Sequence, residues 1–338
     1  MQPMILPANQ PANRFYRGGA QITAFRSEST QPCGEYDPED WVASTTCCYG
    51  QDTLGLTKLD NGRILVDEIQ SHAEQWLGPD HVEAFGSSTR ILVKLLDAGQ
   101  RLPVHAHPHR DWAKRHLGTA YGKAELWYVL EPGVMRVGLR ESITQERLRA
   151  LVDAQDVETL VALMHEVPLK RHQAVYIPPG VLHAIGEGML IAEVQEPSDL
   201  SVFCEWRDYA IDGSKDGHLG LGFDVALTAV ETSGRTNEDI AALITDPDTE
   251  GPLASHHTGE YFTVERHNVV GSASPESFAP GFAIIIVFEG DNLQMTTTAG
   301  GSAALALRKG NTIVVPYGAG SFQLKGSGSV IIARPPRP

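Results

Sequence analysis

Two histidines separated by one residue, in Val104-His105-Ala106-His107-Pro108, are the sharpest chemical feature of this sequence. On a strand, side chains at i and i+2 project from the same face, so both imidazoles can hold one metal ion. With 13 histidines in the chain, such a pair also arises without a role, as exposed rings or rings satisfied in a core. Lys123 and Glu125 repeat the i, i+2 spacing in Gly122-Lys-Ala-Glu-Leu-Trp-Tyr-Val-Leu130, an otherwise apolar strand. Burying ions there costs roughly several kcal/mol each without a partner, so the segment asks for a metal or for a structural Lys–Glu salt bridge. Further on, Tyr176-Ile-Pro-Pro-Gly-Val-Leu-His183 sets a histidine just past a proline-stiffened turn, where fixed backbone geometry can aim the ring inward.

The conjunction says more than its parts. An HxH pair, then a carboxylate strand, then a Pro-Gly turn with a histidine three residues past the glycine resembles the metal pattern of the cupins. His105, His107, Glu125 and His183 offer three nitrogens and one oxygen, a donor set suited to zinc and open to iron, manganese, cobalt or nickel. Competing motifs fail. Gly118-Thr-Ala-Tyr-Gly122-Lys123 is one residue short of a P-loop and has Ala124 where Ser or Thr belongs. The glycines of Gly217–Gly222 do not fit GxGxxG, and His165-Glu166 lacks the second histidine of HExxH.

Strands must carry these residues. Short runs of Val, Ile, Leu and aromatics, punctuated by Gly, Pro, Asn and Asp, give strand candidates at Arg90–Leu96, Leu126–Leu130, Ala174–Ile177, Leu190–Val194, Phe282–Phe288, Thr312–Val315 and Ser329–Ala333. The best helix runs from about Thr144 to Met164, with a capping box from Ser142 to Gln145 and a break near Ala154–Asp156. Leu65–Trp76 and Asn237–Ile244 are further helical segments, and the polar stretch Thr232–Thr258 reads as a linker.

With 338 residues, 42% hydrophobic and 20% charged, the composition is globular, and a prior of about 150 residues per domain gives two domains. A formal charge of −15 with no basic patch argues against nucleic acid and anionic membranes as partners. The N-terminal residues lack the basic leader and apolar run of a secretory signal, and no apolar stretch approaches the roughly 20 residues that span a bilayer. Cys33, Cys47, Cys48 and Cys204 form no CxxC pair. We expect reduced thiols in a cytoplasm, with Cys47 or Cys48 buried for structure.

Several blocks in order carry a family resemblance: Arg14-Phe-Tyr-Arg-Gly-Gly19, Glu39-Asp-Trp41, Lys94-Leu-Leu-Asp97 and Gly122-Lys-Ala-Glu-Leu-Trp-Tyr128. To these add Ile177-Pro-Pro-Gly-Val-Leu-His-Ala-Ile-Gly186 and Glu193-Val-Gln-Glu-Pro-Ser-Asp199, followed by Arg207. Together they resemble the cupin-type, metal-dependent mannose-6-phosphate isomerases over most of the chain. The resemblance implies an all-β fold of two jelly-roll (cupin) β-sandwich domains. Residues 1–225 would bear the metal, with a helical insert at about 142–166, and residues 226–338 would form a second cupin-like domain without ligands. N-terminal strands crossing between the lobes are compatible with it.

By the same resemblance His107, Glu125 and His183 take metal-ligand positions, and His105 stands where the family usually has a glutamine ligand. Lys123 takes the place of the active-site lysine, Glu193 that of the acid/base carboxylate and Arg207 that of the substrate-facing arginine. Tyr16, His109 and Arg110 are the expected substrate-binding residues. Pro103 replaces a serine that commonly helps hold the sugar phosphate, and His109-Arg110 replaces an acidic pair. Arg110, Lys114 or Arg115 then either supply a basic contact or form a surface charge cluster. The implied activity is aldose–ketose isomerisation, of mannose 6-phosphate to fructose 6-phosphate or of a related free sugar, through an enediol(ate), by a monomer or homodimer with a divalent metal, zinc foremost. Two rival classes are a cupin-type metal oxygenase, against which Lys123 beside Glu125 argues, and a non-catalytic sugar-binding cupin.

Overall fold

In chain order the first strands are β1 (Met4–Leu6), β2 (Glu39–Val42), β3 (Leu92–Asp97), β4 (His105–Ala106), β5 (Glu125–Glu131) and β6 (Gly133–Leu139). Then come β7 (Met164–Leu169), β8 (Ala174–Ile177), β9 (His183–Ala184), β10 (Leu190–Gln195) and β11 (Val202–Phe203). The last are β12 (Gly251–Pro252), β13 (Thr263–Phe278), β14 (Ala283–Thr297), β15 (Ala304–Leu307), β16 (Thr312–Val315) and β17 (Phe322–Arg334). This computed structural model describes residues 1–27, 33–301 and 303–338, the side chains of 272–275 and 291 excepted. The order β2-β3-β10-β5-β8 makes one five-stranded sheet and β11-β4-β9-β6-β7 a second. A seven-stranded sheet runs β1-β16-β14-β17-β13-β12, with β15 on β14.

Alternation along the strands explains how these sheets share their cores. In β5, Glu125 and Trp127 face one way, Leu126 and Tyr128 the other. On that other side Tyr128 meets Phe288 of β14, ring centroids 5.1 Å apart. β14 serves two cores in turn: Ile284, Ile286 and Phe288 join the core that holds β5, while Ala283, Ile285 and Val287 join the core within the seven-stranded sheet. Every residue of the run is therefore apolar rather than every second one. Met135 and Val137 of β6 lie in the same core as Val93, Leu95 and Val129, which packs the two five-stranded sheets together.

The helices differ from expectation in instructive ways. The insert is two helices, Gln145–Ala154 and Val157–Ala162, broken at Gln155 with φ 48°. Thr144 is the cap, its hydroxyl accepting from Arg147 N at 3.1 Å, whereas Ser142 accepts from Gly234 N at 2.9 Å. Met164 opens β7 instead of extending the helix. The segment Leu65–Trp76 breaks at His72 into helices Leu65–Ser71 and Ala73–Leu77. With helices spread along the chain, the fold is mostly rather than wholly β.

Thr232–Thr258 is not a free linker. Tyr176 N donates to Leu243 O at 2.9 Å and Thr245 N to Ala174 O at 2.8 Å, which pins it along β8. Just before it, Ala226, Leu227, Ala229 and Val230 pack with Leu148 and Val152 of the insert, on the first pair of sheets. β1 does the converse, pairing with β16 of the seven-stranded sheet through Ile5 and Ile313. No helix among the described residues is long and apolar enough to cross a membrane. All four cysteines are free; Cys48 is buried and Cys47 partly so.

Candidate metal centre

Two facing rows of side chains build the site. On the second sheet, strand register sets Phe203 of β11 beside His105 of β4, His105 beside His183 of β9, and His183 beside Val137 of β6. On the first sheet, Trp41, Lys94, Glu193 and Trp127 form one row across β2, β3, β10 and β5, with Glu125 two residues before Trp127 on the same face. His107 follows β4 and is fixed by Gly180 N, which donates to its carbonyl at 2.7 Å. Gly180 has φ +85°, and a Cβ there would come within 3.3 Å of Ala229 O and of His109 Nε2, so the Pro-Pro-Gly turn requires glycine.

The ligand atoms of His105, His107 and His183 lie within 4.8 Å of one another. Each Nδ1 sits 2.8 Å from a backbone carbonyl, those of Pro103, Leu200 and Val181 respectively. A carbonyl only accepts, so each Nδ1 carries the proton and each Nε2 keeps its lone pair. His183 Nε2 is buried without a hydrogen-bond partner, an orphaned acceptor of the kind a cation completes. Glu125 brings Oε1 within 3.0 Å of His107 Nε2 and Oε2 within 3.7 Å of His183 Nε2. The Lys123 ammonium donates to Glu125 Oε1 and, at 3.0 Å, to His107 Nε2, the same atoms that a divalent cation would take.

Electrostatics agree with this reading. Burial above all presses His107 and His183 down to about 3, and holds His105 well below the usual imidazole range. Burial pushes Glu125 up, but the Lys123 ammonium against it keeps the carboxyl below its usual range while the imidazoles stay neutral. Three neutral imidazoles and an ionised carboxylate fit a divalent cation.

A second layer of charge adjoins these groups. Trp127 Nε1 donates to Glu125 Oε2 at 3.2 Å and to Glu193 Oε1 at 3.1 Å. Glu193 Oε2 has no hydrogen-bond partner, with Lys94 Nζ 3.5 Å away. Burial, reinforced by Glu125, raises Glu193 to about 7, where a carboxyl group both takes and returns a proton near neutrality. Lys94 also reaches Asp199 at 3.7 Å and Glu39 at 3.9 Å, and Arg14 reaches the same two at 3.3 and 3.5 Å. Glu39 accepts from the Tyr16 hydroxyl and from Trp41 Nε1, both at 2.7 Å. Burial works against its ionisation, yet Arg14 and Lys94 hold it down to about 2. A cavity of about 630 Å³ opens onto Arg14, Glu39, Lys94, Glu193 and Asp199 and reaches His105 and His183.

The structure thus brings His105, His107, Glu125 and His183 together, with Lys123 and Glu193 beside them. Tyr16 lines the cavity, but its hydroxyl is committed to Glu39. Three expected residues lie elsewhere. Arg207 is exposed and bonds Glu158 at 3.0 Å, because the chain past β11 turns out beside the helical insert, where Gln155 Oε1 takes Arg207 N at 3.2 Å. His109 is exposed at the head of the helix Arg110–Leu117. Arg110 is drawn to Glu196 at 2.5 Å and Glu260 at 3.5 Å, over the Tyr261 ring at 4.3 Å, so it joins distant segments instead of lining the cavity. Sequence reasoning missed Arg14, Glu39, Lys94 and Asp199 as functional groups. Lys94 carried a signal, since it interrupts Ile91-Leu-Val-Lys-Leu-Leu96 just as Glu125 interrupts its own strand.

Comparison with known proteins gives a family to this geometry. The sequence profile described as "Mannose-6-phosphate isomerase, cupin domain" matches residues 254–335. The mannose-6-phosphate isomerase of Streptococcus mutans is 30% identical over 264 residues, 75% of this chain and 77% of that protein. Mannose-6-phosphate isomerase ManA of Bacillus subtilis is 29% identical over 292 residues, 82% of this chain and 85% of the relative. The crystal structure of the mannose 6-phosphate isomerase from Bacillus subtilis superposes with a TM-score of 0.73 at 21% identity, covering 99% of this chain and 100% of that one. By sequence over three quarters of its length, the chain belongs to the mannose-6-phosphate isomerase family and is an isomerase.

Proposed function

We propose that this chain is a metal-dependent aldose–ketose isomerase that moves a proton between C1 and C2 of a mannose-type aldose and its fructose-type ketose, as mannose 6-phosphate or as the free sugar. One observation carries the reading: three unprotonated Nε2 atoms and Glu125 converge beside Glu193, a buried carboxyl raised to about 7. His105, His107, His183 and Glu125 would hold the cation, for which zinc is the best match. When bound, it supplies Lewis acidity for the oxygens on the two carbons. Glu193 takes the proton from one carbon and returns it to the next, while the Trp127 N–H holds its Oε1 in place. Lys123 carries proton traffic beside Glu125, and Lys94 offsets the charge of Glu193. The role expected of Arg207 falls to the cations that line the cavity.

The site belongs, in this reading, to the first of two jelly-roll units, residues 1–225, and the second, residues 226–338, has no ligand set among its described residues and covers its outer face. Four free thiols fit a cytoplasmic setting. The test is to incubate the metal-loaded enzyme with mannose and with mannose 6-phosphate in deuterated water. Ketose should form from at least one sugar, with deuterium entering its C1 or the C2 of recovered aldose. Absence of ketose from both would refute the proposal.

A further inference from the structure

Among the described residues, four Lys and Arg side chains line the cavity: Arg14, Lys94, Lys123 and Lys215. Lys123 donates to Glu125 and His107, and Lys215, on the exposed rim, pairs with Asp212 at 2.5 Å. Arg14 and Lys94 are placed differently. A guanidinium has five N–H donors and an ammonium three. The Arg14 side chain donates to Asp199 at 3.3 Å, and its Nε is buried without a hydrogen-bond partner although Glu39 lies 3.5 Å away. Lys94 makes no hydrogen bond to a described residue, and its nearest carboxylates, Glu193, Asp199 and Glu39, stand 3.5 to 3.9 Å off. Both cations lie against the Trp41 ring, Lys94 at 4.5 Å and Arg14 at 5.9 Å.

The acids beside this pair have other donors. Glu39 accepts from the Tyr16 hydroxyl and from Trp41 Nε1, both at 2.7 Å, and Asp199 accepts from Tyr49 N at 3.0 Å. These neutral groups keep both carboxylates hydrogen-bonded while Arg14 and Lys94 turn N–H groups toward a ligand. Cationic donors left without acceptors at a cavity wall call for ligand oxygens, and in a molecule of net charge −15 an anion depends on such a local pair. Position tells which end of the substrate they meet. In the first sheet Lys94 of β3 separates Glu193 of β10 from Trp41 of β2, so Trp41 lies two strands, about 10 Å, from the proton-transferring carboxyl. Arg14 packs over Trp41, at that far end. A hexose 6-phosphate likewise carries its reacting carbons at one end and its charge at the other. Pro103, also in the wall, has neither an N–H nor a hydroxyl to offer that charge.

We propose that Arg14 is the specificity-determining residue for the phosphate group of the substrate: its planar fork takes ester oxygens and Lys94 takes another, while Glu193 faces C1 and C2. The proposal rests on the isomerase reading above. The measurement uses the metal-loaded, full-length wild type, Arg14→Gln and Arg14→Lys. It compares kcat and KM for mannose 6-phosphate, and the inhibition of that turnover by inorganic phosphate and by mannose. In Arg14→Gln, KM for the ester and the inhibition constant of phosphate should both rise about tenfold or more, with a smaller change in kcat and in the constant of mannose. Arg14→Lys keeps a charge beside Asp199 and Glu39 but loses the fork, and should raise the same two constants by about threefold or more. Should Arg14→Gln fail to fold, Arg14→Lys decides by the same comparison. Loss of packing alone would weaken phosphate and mannose alike, and that outcome overturns the proposal, as do ester and phosphate constants that stay at wild-type values. Ketose from mannose but none from its ester also overturns it and leaves the isomerase standing. Ketose from neither sugar overturns both readings.

Discussion

Glu193 shares the indole N–H of Trp127 with Glu125 and keeps its other oxygen free of hydrogen bonds. If it moves the proton, Glu193→Gln should lower kcat by about 10²-fold or more while metal content stays at the wild-type level. Its raised value also sets a pH dependence. Glu193 is protonated below about 7 and ionised above it, so kcat/KM for the direction in which it acts as base should climb through that value and then level off. The variant should lose the inflection. The histidines make a different prediction: His107 and His183 are pressed down to about 3, so neither binds a proton that a metal must displace between pH 5 and 8. Metal affinity, measured by competition with a chelator of known proton affinity, should be flat over that window. Ordinary imidazoles would instead lose affinity steeply below their usual value of about 6.5. The convergence of His105, His107, Glu125 and His183 was legible in the sequence because i, i+2 spacing and a Pro-Gly turn are local patterns. Arg14 and Asp199 were not, since each comes from a loop and gains meaning only where the fold sets it beside Glu39 and Lys94.

At the scale of elements, Glu196 ties the entry of the carboxylate strand to the rest of the fold. It is fully buried, accepts from Ala124 N at 3.1 Å between Lys123 and Glu125, and pairs with Arg110, which Tyr261 and Glu260 cover. Glu196→Gln should therefore weaken metal binding by about tenfold, the lower end for partners that orient ligands, with little change in circular dichroism. Unchanged metal affinity would confine Glu196 to a structural role. The strands Ala174–Ile177 and Thr312–Val315 are those expected from apolar runs bounded by turn residues. The run Phe282–Phe288, in contrast, is only the start of β14, which continues through a register shift at Gly290. That glycine has φ +101°, and a Cβ there would meet Ser327 O at 2.4 Å. An isolated glycine in a strand marks a close approach of two backbones, and in the sequence it reads as a stop. The helix caps went astray for a similar reason: Ser142 and Thr144 both suit an N-cap, and contact with Gly234, 92 residues away, decides between them.

Across the whole molecule, the seven-stranded sheet closes the outer face of the site-bearing sheet, with Phe288 against Tyr128 and the ring of His172. Phe288→Ala removes a buried ring from this seam and should cost about 3–5 kcal/mol of stability. Because β14 feeds two cores at once, both units should still unfold in one transition in denaturant, at a lower midpoint. Two separated transitions in the wild type would contradict a shared core. A strand-and-turn texture recurring in the later part of the chain was readable, but which sheet each segment joins was not. β1 joins the seven-stranded sheet formed by the last strands, and the segment 226–245 lies on the two five-stranded sheets formed earlier, because strand pairing and burial ignore distance along the sequence. The account as a whole depends on one cation shared by rings from β4, its following residue and β9, and a carboxylate from the facing sheet. Its most direct test is elemental analysis of purified protein alongside isomerase activity, for the wild type and for a variant with both His105→Ala and His183→Ala. The account predicts about one divalent metal per chain in the wild type, and loss of metal and activity together in the variant. Full activity in metal-free protein, or metal retained at that level without both rings, would contradict it.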